Sequence, residues 1–410
     1  MSLILPYPNE YNAMNTTVDQ VPLSRNRLLR RNISTYFTHR QARAVGLVFA
    51  SDSLLLGSWV AHIPYLKDKL QLTDADLGLI LFAMPAGLLV MNPLTGWLIA
   101  RLGEARACLF SALGLCLAIC VPINAPNISI MVAGLFVVGL CGALLNVAMN
   151  TCASNVERAH NVSIMASCHG MWSLGGMIGS GIAGLVIALK VSPAAHMFGM
   201  SALILLLTFV LRPILASIPT QRAESTTSFV RPNLLLLVMI FIGLAVAMGE
   251  GVALDWSAVY LRDSAGASRQ VAALGFGFFS LAMTAGRFIG DTIIPRYGAK
   301  RLLTWGSVVA AAGLALAIAI PHPTVVLLGF LLLGGGCSLG APILYAASMR
   351  VPEIPPAAGL ATFATFSFIG FLAGPPVIGF VAEAYGLSYG LALIALLLLL
   401  SAGLTRQLKL

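Results

Sequence analysis

Apolar residues fall along this chain in long blocks broken by short polar stretches, and each block has the length of a bilayer-spanning helix. A hydrocarbon core needs roughly 20 apolar residues per helix. On that measure spans are predicted near 43–65, 76–100, 106–124, 128–152, 162–188 and 194–217. Six more follow near 233–256, 270–293, 301–320, 324–348, 357–382 and 388–405. The pattern divides the chain into a basic tail (1–42), a six-helix half (43–217), a polar linker (218–232) and a second six-helix half (233–410).

Composition supports an all-α membrane protein. Of 410 residues, 58% are hydrophobic and 10% charged, with a mean hydropathy of +0.91; soluble domains carry about 25% charged residues. The net charge of +9 is spread as a membrane orientation signal, and no nucleic-acid partner is expected. With the N-terminus inside, 18 of the 24 Lys and Arg lie in cytoplasmic segments, six of them in the tail and its junction with span 1. This imbalance predicts that both termini are cytoplasmic. Residues 1–41 are polar, lack the long apolar core of a signal peptide and are expected to be disordered. The seven cysteines all fall in apolar runs without metal-ligand spacing, so no metal or other cofactor is expected.

Charged groups inside spans carry the functional signal. A carboxylate at mid-bilayer costs roughly 2.5–3.5 kcal/mol on insertion scales, so it faces a bundle interior or a watery cavity and serves substrate or proton binding. Glu250, flanked by Gly249 and Gly251 in span 7, is the first candidate, and Asp52 in span 1 is the second. Trp59 follows Asp52 by seven positions, on one helical stripe. Asn146 and Asn150 lie one turn apart in span 4, where amides can bracket sugar hydroxyls or join helices. His169 and Trp172 in span 5 suit a proton-coupled polar substrate or a packed core. Asp255 is rotated about 140° from Glu250 on an ideal helix; with Trp256 it reads as a marker of the membrane–water boundary with a structural or gating role. His62, at the outer end of span 1, reads as a surface residue. Arg287 is the one basic residue left inside a span, and Asp291 lies four residues on, a spacing that predicts an intrahelical ion pair in the cytoplasmic gate. Glu157 and Arg158 at the end of span 4 can join that gate. The Gly374-Pro375-Pro376 run predicts a kink in span 11.

The two halves also repeat. GWLIARLGEAR (96–106) after span 2 matches DTIIPRYGAKR (291–301) after span 8, with Arg101 and Arg296, Gly103 and Gly298, and Arg106 and Arg301 in register. This pattern resembles the loop signature of the major facilitator superfamily, which implies a fold of 12 transmembrane helices and a gating role for those arginines. Ala100 and Pro295 stand where the signature has an acidic residue. A closer resemblance rests on SWVAHIP (58–64), NVAMN (146–150), VER (156–158), CHGMWSLGG (168–176), EGVALDWSAVYLRD (250–263), SLAMTAGRFIGD (280–291) and AGPPVIGF (373–380). These resemble the MosC-like group of bacterial major facilitators. That implies a secondary transporter, with sugar- or inositol-like solutes the class associated with the group. In the resembled pattern position 146 is usually acidic and position 62 commonly Arg; here they are Asn146 and His62, which leaves Asp52 as a carboxylate that could replace the one missing from span 4.

The expectation is a monomeric carrier in the bacterial inner membrane. It would move a small polar solute, coupled to protons, by alternating access. Glu250, Asp52, Asn146, Asn150, His169, Trp59 and Trp172 would line its cavity. Two alternatives stay open: an exporter of drugs or amphipathic metabolites, and a membrane receptor that does not transport. No ATP-binding or hydrolase motif is present.

Overall fold

The computed structural model describes residues 36, 38–160, 162, 164–219 and 230–408. The expected disordered tail lies almost wholly outside the described residues, as do positions 220–229 of the linker. Among the described residues there are 12 helices long and apolar enough to cross a membrane. They are α1 (Arg40–Lys69), α2 (Asp74–Leu102), α3 (Glu104–Asn124), α4 (Ile128–His160), α5 (Met165–Ala188) and α6 (Pro193–Ala216) in the first half. The second half holds α7 (Leu234–Asp255), α8 (Arg269–Gly290), α9 (Ala299–Ala319), α10 (Pro323–Ser348), α11 (Pro356–Tyr385) and α12 (Leu387–Thr405). An even number of crossings puts both chain ends on one face, here called the terminal face. The connections α1–α2, α5–α6, α7–α8 and α11–α12 lie on the other, the distal face.

The helices exceed their predicted lengths where polar residues continue the helical turn. α4 runs eight residues past its predicted end, to His160. The backbone after α8 stays helical to Tyr297. α11 is one unbroken helix through Pro375 and Pro376, so the proline pair does not divide it. Breaks occur elsewhere. α1 is interrupted after Val60 and resumes at Ile63–Lys69, and a separate short helix, Ser257–Asp263, follows α7 beyond Trp256.

Small residues let the backbones touch. In α5, a side chain at Gly175 or Gly179 would strike the Ala50 and Leu54 carbonyls of α1, which is the close approach that small-xxx-small spacing provides in membranes. The halves meet through α5 against α8 and α2 against α11. In the second pair Gly78 and Gly379 face each other across the boundary. Large apolar side chains such as Leu206, Phe209 and Leu185 are more than half exposed, as lipid-facing residues are. At the loop repeats, Gly103 and Gly298 have φ of +79° and +83° with extended ψ. This conformation is essentially restricted to glycine. The loop repeat is therefore one of backbone shape as well as of sequence, and Gly386 between α11 and α12, outside that repeat, adopts the same conformation.

Candidate functional site

Two connected chambers lie between the halves. The deeper one, of about 290 Å³, is walled by α1, α2, α3, α4, α5, α7, α8 and α11. The second, a vestibule of about 470 Å³, is lined by the terminal-face ends of α5, α8, α10 and α11 together with α7. His169, Glu250, Arg287, Phe368 and Phe371 belong to both, so the junction carries a carboxylate, a guanidinium and an imidazole.

Most of the candidates read from the sequence converge here. Asp52, Trp59, Asn146, His169, Trp172 and Glu250 line the deeper chamber. Trp172 Nε1 donates to Asp52 Oδ2 at 2.9 Å, tying α5 to α1 and aiming the carboxylate. Phe49 meets the His169 ring edge-on, with 5.2 Å between centroids. Asn150 is not part of the wall. Its amide donates to the Asn146 backbone oxygen at 2.9 Å and to Asn146 Oδ1 at 2.8 Å, which fixes the orientation of Asn146.

Arg287 makes its described side-chain contacts at the junction of the two chambers. Its Nη2 lies 3.9 Å from Glu250 Oε2, and its Nη1 donates to Ser173 Oγ at 3.0 Å. It therefore spans from α8 to α7 in its own half and to α5 in the other. A basic residue needs a counter-charge at this depth, and the carboxylate of the neighbouring helix supplies it. The Asp291 side chain, the partner expected from spacing, lies outside the described residues. Asp255 also departs from expectation, because it lines the deeper chamber with Glu250. The 140° offset does not separate the two, since the chamber wraps around this end of α7. Trp256 is no boundary marker: it is fully buried, and its Nε1 has no hydrogen-bond partner. His62 is likewise buried, and its Nε2 lies 2.8 Å from Nδ1 of His196 in α6, a residue with no distinctive sequence context.

The remaining gating candidates sit on the terminal face. Arg101 stacks on Trp97 of its own helix at 4.3 Å, and Arg296 lies over Tyr297 at 5.4 Å. Arg106 and Arg301 begin α3 and α9. Glu157 accepts from the backbone N–H groups of Ile164 and Met165 at 2.7 and 2.8 Å, so it holds the α4–α5 connection, while Arg158 beside it is exposed. Among the described residues, no ion pair joins the halves on this face. Tyr345, Phe368 and Phe371 complete the chambers, and Ser173 is buried behind them as a partner of Arg287; they sit in apolar runs, and nothing in their spacing marks them. Among the described residues, no group of three or more His, Cys, Asp or Glu could hold a metal ion.

Two six-helix halves around a largely apolar chamber that holds Asp52, Glu250 and Arg287 have the architecture of a multi-pass membrane carrier. The sequence profile of the Major Facilitator Superfamily matches residues 44–356 and 257–406, and the chain belongs to that superfamily of transporters. An uncharacterized MFS-type transporter of Yersinia pestis is 34% identical over 88% of this chain and 94% of its own length. The membrane protein MosC of Rhizobium meliloti is 29% identical over 86% of each chain. Among solved structures, a mutant of the nucleoside transporter NupG superposes with a TM-score of 0.72 at 14% identity, covering 90% of this chain and 99% of that one. A bacterial homologue of the human lysosomal transporter Spinster, in an inward-facing and occupied conformation, gives 0.70 at 14% identity over 91% and 97%. At these identities the structural likenesses show the fold.

Proposed function

We propose that the protein is a proton-coupled secondary transporter of the bacterial inner membrane. It moves a small polar solute by rocking its halves around the deeper chamber, and it works as a monomer with both termini in the cytoplasm. The terminal face is then the cytoplasmic one, and the conformation described faces inward. The observation that carries this reading is the Glu250–Arg287–Ser173 arrangement at the chamber junction. At 3.9 Å the ion pair is about 1 Å longer than a charge-assisted hydrogen bond. A protonated Glu250 leaves Arg287 to hold Ser173 across the halves; an ionised Glu250 draws the guanidinium back to α7. Proton loss and release of the cross-half bond are thereby the same event. Asp52, Asn146 and the faces of Trp59 and Trp172 offer acceptors, an amide and stacking surface of the kind that holds a sugar- or inositol-like solute.

The experiment begins with a thermal-shift panel of sugars, inositols, amino acids and cationic drugs on the purified protein. Flux of the hit is then measured in proteoliposomes. Glu250→Gln is expected to abolish proton-driven accumulation while leaving solute exchange intact. Wild-type accumulation by that variant removes the assignment. Export of amphipathic compounds is a second reading, favoured by the aromatic vestibule wall of Tyr345, Phe363, Phe368 and Phe371; stabilisation by lipophilic cations alone, with resistance on overexpression, would select it.

A further inference from the structure

On the distal face the halves are joined by charges, and we propose that this network is the gate that closes the transporter there, with Lys67 and Arg262 as its hubs and Glu383 as a third arm. The purpose of the gate rests on the alternating-access reading above; its existence and its opening do not.

Lys67 Nζ, at the end of α1, is shared between Asp74 Oδ1 of its own half at 2.6 Å and Asp263 Oδ2 of the other half at 2.9 Å. Arg262 returns the link. It pairs with Asp68 Oδ2 at 2.9 Å, donates to the Pro64 carbonyl at 2.6 Å and contacts its neighbour Asp263 through Nε. Arg269 reaches the same Asp68 carboxylate at 3.8 Å. In these ion pairs three cations, Lys67, Arg262 and Arg269, face three carboxylates, Asp68, Asp74 and Asp263. The third arm is a helix cap that crosses the boundary. α2 caps itself with Thr73 and Asp76, and Glu383 of α11 accepts from the next backbone N–H groups, Asp74 at 3.1 Å and Ala75 at 3.5 Å. A carboxylate at a helix N-terminus is favoured by the macrodipole.

Two features mark this as a gate and not a permanent staple. The first is its mounting. Lys67 and Asp68 ride on the short segment Ile63–Lys69, past the break in α1, and Arg262 and Asp263 ride on Ser257–Asp263, past the break after α7. Each arm is thus set off by a helix break from the span behind it, the place where the chain can hinge. The second is access to water. Lys67 and Arg262 are 16% exposed, Asp263 31% and Asp68 49%, so both signs can be hydrated as the face opens and no charge is stranded. The terminal face, toward which the vestibule extends, has no matching cross-half pair among the described residues.

The test is pulsed electron-electron resonance on the full chain in lipid nanodiscs. One spin-label pair is placed on the distal face (Gln71→Cys with Ser268→Cys) and another on the terminal face (Ala159→Cys with Arg350→Cys). In the otherwise unchanged chain the distal distance is expected to be short and the terminal one long. Lys67→Met with Arg262→Met should raise the ratio of distal-open to distal-closed molecules by roughly fivefold or more and shorten the terminal distance. Glu383→Gln should act in the same direction and more weakly. Raising salt to about 1 M, where screening acts over about 3 Å, should shift the unsubstituted chain the same way, an arm that does not depend on the variants folding. A distal distribution unchanged by salt, and by the double variant where it folds, overturns the proposal. A Glu250→Gln protein that opens its distal face normally yet still couples to protons would sink the coupling assignment and leave the gate standing.

Discussion

The distal and terminal faces both carry basic residues, but they use them differently. On the distal face Lys67 and Arg262 each touch carboxylates from both halves, and beneath them α2 and α11 press together at Gly78 and Gly379. On the terminal face Arg101 and Arg296 lie over aromatic rings of their own helices, and the halves part around the vestibule. The difference teaches that closure here needs two layers: a backbone contact that only glycine permits, and a set of half-buried charges that water can reach as they part.

The contrast is broken most severely through the backbone layer. A Cβ at Gly379 would sit 2.6 Å from the Asp74 carbonyl oxygen and 3.0 Å from the Gly78 Cα, and backbone atoms cannot rotate away. Gly379→Val is therefore expected to lower transport at least about tenfold, an effect on the scale of core overpacking. It should also lengthen the distal spin-label distance while the protein stays folded by circular dichroism. A variant that transports normally would show that the backbone layer is dispensable.

Arg287→Met comes next, because it leaves Glu250 without a counter-charge. Removing one partner of a buried pair is costly, roughly 3–5 kcal/mol, so coupled flux and thermal stability should both fall. Arg287→Met combined with Glu250→Gln should recover stability but not coupling. Additive losses in a double-mutant cycle would mean that the 3.9 Å contact carries no interaction.

Which parts were legible in the sequence follows from the physics. The 12 spans were plain because a hydrocarbon slab imposes length and apolarity on every crossing. Glu250 and Asp52 stood out because a carboxylate there needs a reason, and the same rule picks out Arg287 as the one basic residue inside a span. What spacing along one helix could not supply was the reach of Arg287 to other helices, to Glu250 and Ser173. The Lys67–Asp263 contact joins residues 196 positions apart, and His62–His196 joins residues 134 apart. A single sequence holds no trace of such pairings. Trp256 misled because interfacial tryptophan is common, while the turn after Asp255 carries this one inward.

A smaller effect concerns pH. Burial alone would push the Asp263 carboxyl up, but hydrogen bonds and charges from Arg262 and Lys67 outweigh it and hold Asp263 below its ordinary value. A depressed pKa means that the stabilisation is fully present above the unfolded value, about 3.9, and fades only as pH falls through the lower folded value. The distal spin-label distance should thus be the same at about pH 8 and pH 5. Opening of that face within this window would place the sensitive group elsewhere, with the buried His62–His196 pair next to be tested.

The smallest expected effect sharpens the contrast from the other side. Among the described residues, Arg101 and Arg296 have no ion pair or hydrogen bond across the boundary, and each is held by a cation–π contact worth about 0.5–1 kcal/mol at an exposed site. Arg101→Gln and Arg296→Gln should therefore leave the melting temperature and the distal distance nearly unchanged. If these arginines close the terminal face when the distal face opens, their loss will appear only in that alternate state. The variants, placed in the Lys67→Met and Arg262→Met background that favours it, should then show a longer terminal distance than that background alone. Equal terminal distances with and without them would assign closure of that face to packing, leaving the arginines as orientation charges at the membrane surface.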